Sequence, residues 1–109
     1  MSRAGNVYYA GEPAGRIERR DDGRYLFAYR PEYLARPGAR AVSLTLPLRS
    51  EPFESPVLFP FFSGILAEGN LKELQCRLLR IDPDDDFTRL LRTTSQDVIG
   101  AVTVEEEIK

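Results

Sequence analysis

The segment Gly15-Arg16-Ile17-Glu18-Arg19-Arg20-Asp21-Asp22-Gly23-Arg24-Tyr25-Leu26-Phe27-Ala28-Tyr29 reads as two β-strands joined by a tight reversal. An Asp-Gly pair supplies the positive φ angles that a short hairpin needs, so the strands on either side run antiparallel. In the second strand both alternating sets are largely apolar: Tyr25, Phe27 and Tyr29 on one side, Leu26 and Ala28 on the other. Such a strand is expected to be covered on both faces and to lie centrally.

Upstream, Val7-Tyr8-Tyr9-Ala10 is a short β-prone run that Gly11 and Pro13 end. Downstream, Pro31-Glu32-Tyr33-Leu34-Ala35 fits one helical turn with proline in first position, and Arg36-Pro37-Gly38 stops it. Val42, Leu44, Leu46 and Leu48 alternate with smaller residues, which predicts a half-buried extended segment with Pro47 at its end or edge. The second half turns helical. Pro60–Leu66 makes a short helix, and Leu71, Leu74, Leu78 and Leu79 put an apolar stripe on a helix over Asn70–Arg80. Asp82-Pro83-Asp84-Asp85 predicts a helix start capped by Asp82, followed by an inward face of Phe87, Leu90 and Leu91. Val98–Val104 reads as a returning strand and Glu105–Lys109 as a frayed charged tail. The sum is an α+β domain: an N-terminal antiparallel sheet, a helical middle and a returning C-terminal strand.

A chain of 109 residues, 42% hydrophobic, is one globular domain's worth. It contains no apolar run of the roughly 18–20 residues that span a bilayer, and its first residues lack the apolar stretch of a signal peptide. With one cysteine, Cys76, no internal disulfide forms, and the expected setting is the cytoplasm. The formal charge of −2 conceals an asymmetry: nine Arg against five acids in residues 1–50, and six Lys or Arg against twelve acids in 51–109. That polarity suits charge-steered docking on a protein better than nucleic-acid binding.

The chemistry is sparse. Histidine is absent, which removes Ser-His-Asp and Cys-His arrangements and the commonest metal ligand. No Gly-rich phosphate loop occurs, nor any His-Arg-Asp or Asp-Phe-Gly signature of kinases. Asp84-Asp85-Asp86 lacks the glycine and closing glutamate of a calcium loop and reads as a solvated helix start. Arg16, Arg19, Arg20 and Arg24 read as a solvated or protein-contacting hairpin face, and Cys76 as packing. No catalytic, cofactor-binding or metal-binding residue is assigned. The unusual element is Leu58-Phe59-Pro60-Phe61-Phe62-Ser63-Gly64-Ile65-Leu66-Ala67-Glu68-Gly69, too apolar for a two-turn helix to bury all round. Its phenylalanines are expected in the core, and Ile65 and Leu66 exposed for docking.

Five motifs occur in order: Tyr-Leu-Phe-Ala-Tyr at 25–29, Tyr33-Leu34, Ser43–Leu48, the Leu58–Gly69 segment, and Gln96-Asp97-Val98-Ile99-Gly100-Ala101-Val102. Together they resemble the N-terminal subdomain of HipA-type serine/threonine kinases, the toxins of bacterial toxin–antitoxin modules. The resemblance covers roughly residues 5–104 and leaves 105–109 as the tail. In full-length kinases of this type the subdomain precedes the catalytic core, and the chain stops where that core would begin. A free-standing copy is similar to HipS, the small protein of split HipBST modules, in which HipS neutralises a shortened kinase, HipT, and a helix-turn-helix protein, HipB, binds DNA.

The resemblance implies a non-enzymatic antitoxin with a HipT-like kinase as partner and a HipB-like protein in the same complex. It implies partner contacts at Phe62, Ile65, Leu66, Ala67, Glu68 and Gly69. Ala67 replaces the family's usual proline in the Leu-Pro-Glu-Gly turn, and Ser95 its usual glycine. The bulky aromatic that such inhibitors press into the kinase is also missing, since the chain has no tryptophan. The alternatives are a non-inhibitory subunit that completes a HipA-type kinase or its repressor complex, and an enzyme using carboxylates such as Glu68 or Asp97.

Overall fold

The computed structural model describes residues 3–94 and 101–107. β1 (Arg3–Tyr9), β2 (Glu12–Arg19), β3 (Tyr25–Tyr29), β4 (Phe53–Ser55) and β5 (Val102–Glu106) form one antiparallel sheet in the order β4-β3-β2-β1-β5. The hairpin expected around Asp22-Gly23 is present as β2–β3, with Ile17 opposite Phe27. Its reversal takes three residues: the Gly23 amide donates to Arg20 O, and Gly23 carries the single positive φ, +86°. That is a type I turn closed by a glycine bulge. A second reversal, Ala10-Gly11, joins β1 to β2 with φ values of +49° and +82°, so Pro13 lies inside a strand and ends nothing.

Two expectations about the sheet are corrected. β2, not β3, is its middle strand, because β5 returns beside β1 and adds a strand on that side. β3 is also packed on one face only: Phe27 and Tyr29 are buried, whereas Leu26 and Ala28 are half-exposed. The packed face carries Val7, Ile17, Phe27 and Val104, against which Phe62, Phe87, Leu90 and Leu91 close the core. Phe27 lies at its centre, with ring centroids 4.9 Å from Tyr29 and 5.6 Å from Phe62. The opposite face holds half-exposed Asn6, Arg16, Glu18 and Leu26, tied by Arg16–Glu107 and Arg30–Asn6 hydrogen bonds.

α1 (Pro31–Leu34) is the expected single turn. The segment after it is not extended. Ser43 and Leu46 form an isolated bridge around a tight turn that throws Leu44 fully into solvent, while Val42 and Leu46 are buried. The Tyr29 hydroxyl explains this, because it accepts from the Val42 amide at 3.0 Å and donates to Leu46 O. Folding the chain back lets one buried phenol satisfy two backbone groups.

α2 (Pro60–Gly64), α3 (Gly69–Leu79) and α4 (Asp86–Thr93) form the helical middle. α4 starts later than the acidic run suggests. Asp82 caps a turn, its Oδ1 accepting from the Asp84 amide, and Asp85 is the N-cap of α4. Asp85 Oδ1 accepts from the Thr88 amide (3.1 Å) and Oδ2 from the Thr88 hydroxyl (2.6 Å), which in turn accepts from Arg3 Nη1 (2.6 Å). Burial alone would raise the Asp85 carboxyl, but the Thr88 bonds, with Arg3 and Arg19, outweigh it and hold the group below the usual aspartate value of 3.8. The ionised form is therefore favoured by folding. Its contribution is complete above pH ~3.8 and is lost as pH falls through the lowered value. Asp85→Ala is expected to cost about 1 kcal/mol at pH 7 in denaturant titration, with the gap to wild type narrowing below pH ~4.

The tail is also corrected. Glu105 and Glu106 belong to β5, paired with Asn6 and Gly5, and the Glu107 amide donates to Ala4 O. The early part of the Val98–Val104 strand reading and the Asp97 and Ser95 positions lie outside the described residues. Among the described residues no helix is long and apolar enough to cross a membrane.

Candidate partner-binding surface

The segment from α2 into α3 turns on three local facts. Pro60 opens α2 without needing an amide donor, Ile65 caps it, and Gly69 takes a φ of +60° that starts α3. Between them the chain bends back, and the Leu66 amide donates to Ser63 O. That bend turns Leu66 inward to 8% exposure, so the expectation that it is exposed for docking is overturned. Phe62 is wholly buried against Phe27, Phe59 and Phe61, and it too presents nothing to a partner. Ile65 and Ala67 are half-buried, and Glu68 and Gly69 are exposed. The outward part of the turn is thus narrower and more polar than its sequence suggests.

The turn is pinned by a residue the sequence did not single out. Arg89, on the inward side of α4 and 4% exposed, donates from Nη2 to Ala67 O at 2.6 Å and from Nη1 to Asp86 Oδ1 at 3.1 Å. Nothing in the run Phe87–Leu91 announces this, because an arginine between apolar residues on a helix ordinarily points to water. Asp86 serves this pair and Asp85 the cap, so two members of the acidic triplet have structural partners.

The second feature is α3 itself. Cys76 is its buried residue, as expected, and the helix is oriented so that Lys72 and Gln75 also turn partly inward. Leu71, Leu74 and Leu78 consequently face out, at 53%, 49% and 70% exposure, while Leu79, on the Cys76 side of the helix, is 44% exposed. Periodicity revealed the stripe but carries no information about which way it faces. Ile81, buried just beyond the left-handed Arg80, anchors the helix end through its amide to Cys76 O.

These elements make an α+β domain whose sheet is covered by helices on one face and which presents a pinned polar turn beside an apolar helix face. The profile of the HipA N-terminal domain family matches residues 5–105. The chain belongs to that family, as the HipA N-terminal subdomain and not the kinase domain. A solved structure of the N-terminal domain of HipA toxin superposes with a TM-score of 0.72 at 33% identity, covering 98% of this chain and 94% of that one. An uncharacterized protein of Haemophilus influenzae (strain ATCC 51907 / DSM 11121 / KW20 / Rd) is 37% identical, the match covering 98% of this chain and 95% of that protein. Two Sinorhizobium fredii (strain NBRC 101917 / NGR234) proteins, named "Putative kinase Y4mE" and "Putative kinase Y4dM", are each 32% identical over 94% and 91% of this chain. The match spans only 24% and 25% of their own lengths.

Proposed function

We propose that this chain is a cytoplasmic antitoxin subunit that binds and inhibits a HipT-like serine/threonine kinase, presenting the turn Ile65–Gly69 to it. The supporting observation is that one domain recurs in two settings. It fills about a quarter of two kinase-named chains and nearly all of a small relative. A surface that lies beside a catalytic core within one chain is available to a separate core when the domain is free. A HipB-like DNA-binding protein is the expected third member of the complex. The contacting groups are Glu68 and Gly69, with the half-exposed parts of Ile65 and Ala67. Leu66 and Phe62 substitutions would report on the core and are unsuited to testing docking.

Glu68 is the informative position, since its side chain makes no capping bond to α3 and can change without cost to the fold. Glu68→Arg is expected to weaken kinase binding about tenfold or more, as reversal of a charge inside an interface does. In cells that express a HipT-like kinase from the same genome, wild-type protein should restore growth and Glu68→Arg should not, at matched levels. Full rescue by the variant would remove the turn from the interface. A kinase that phosphorylates only once this protein is added would make it a completing subunit instead.

A further inference from the structure

We propose that the outward face of α3 packs antiparallel against α3 of a second copy of this chain. Leu71, Leu74 and Leu78 recur at intervals of three and four, the spacing by which one helix seats against another. All three are 49–70% exposed on a helix that buries Cys76 toward its own domain. An apolar helix face turned to water is a surface awaiting cover.

The occupant is argued from charge and size. The N-terminal half of α3 with its cap carries Glu68 and Glu73 against Lys72, and the C-terminal half carries Arg77 and Arg80 with no acid. The acids that follow, Asp82 and Asp84 to Asp86, turn away to line a cleft with Arg19 and Tyr25. An antiparallel copy lays the acidic half over the basic half at both ends of one two-fold interface, whereas a parallel copy opposes like charges. The register that places Leu71 over Leu78 is self-complementary. Three half- to mostly exposed leucines on one short helix make a small patch, so the contact belongs with the weak, transient class of interfaces. The pair is therefore a reversible dimer that forms as concentration rises, not a permanent one. This association is a property of the purified chain and does not depend on the kinase reading.

Sedimentation equilibrium of the full chain at rising concentration tests it. The expected result is a reversible shift from 12.4 kDa toward twice that mass, abolished by Leu74→Glu, with matching thermal melts at dilutions where both proteins are monomeric, because Leu74 is half-exposed. The double variants Glu68→Lys/Glu73→Lys and Arg77→Glu/Arg80→Glu should each self-associate at least tenfold more weakly. An equimolar mixture of the two should recover dimer. A monomer throughout, a dimer indifferent to Leu74→Glu, or a mixture no tighter than its parts would overturn the proposal.

Discussion

Gly15→Ala will lower the stability of this domain by about 3 kcal/mol or more and its melting temperature by more than about 10 °C. Gly15 lies in the middle strand, paired with Val7 on one side and Tyr29 on the other. A Cβ there would stand 2.6 Å from Ala28 O and 2.9 Å from Phe27 Cε1. The oxygen belongs to the neighbouring backbone, and it retreats only if the β2–β3 ladder parts. The ring belongs to the most central core residue, whose other neighbours fix it. Gly5 is the internal control. Its Cβ would also meet an atom at 2.6 Å, but that atom is Leu91 Cδ2, the end of a side chain that can rotate. Gly5→Ala is expected to cost about 1–2 kcal/mol, so thermal denaturation should rank Gly15→Ala clearly below it. Equal losses would show that the β2–β3 pairing yields more easily than its register implies.

Arg89→Ala is the second large effect and the one that joins fold to function. It removes a buried side chain of core size together with the donor to Ala67 O, an expected loss of about 2–4 kcal/mol. Arg89→Met separates the two roles. Methionine keeps most of the apolar bulk while deleting both hydrogen bonds, and exchanging a buried charge for a packed apolar chain is commonly near neutral. Asp86 is left half-exposed to water, so no buried anion is orphaned. The expectation is therefore a melt close to wild type, faster hydrogen exchange at Ala67–Gly69, and kinase binding weaker by about tenfold. An Arg89→Met protein with unchanged exchange in the turn would mean that Leu66 and Gly69 hold it without help.

The hairpin was legible because its determinants are local: an Asp-Gly reversal between β-prone runs needs no distant partner. The short helices opened by Pro31 and Pro60 were legible for the same reason. The middle strand is not legible locally, because strand order is set by β5, more than 70 residues beyond β3 in the chain. Val42–Leu48 looked extended because alternation is all a sequence shows, while the Tyr29 hydroxyl that folds it back acts across the fold. The same division holds at the candidate surface. Composition alone marks the segment 58–69, but it does not show that a single turn buries Leu66. Periodicity gives the α3 leucines as a stripe without a direction, and Arg89 leaves no trace in any local pattern. Family membership was legible from the order of five weak motifs, and the match over residues 5–105 bears it out.

The proposed inhibition requires a physical contact between the Ile65–Gly69 turn and a kinase. Hydrogen–deuterium exchange of this chain, free and mixed with a purified HipT-like kinase from its own genome, measures that contact residue by residue. The expected result is a stoichiometric complex in which the amides of Ala67 to Gly69 exchange more slowly, with Glu68→Arg abolishing the change. A stable complex whose protection falls elsewhere, on the open face around Arg16 and Leu26 for example, or no complex at all, would contradict it.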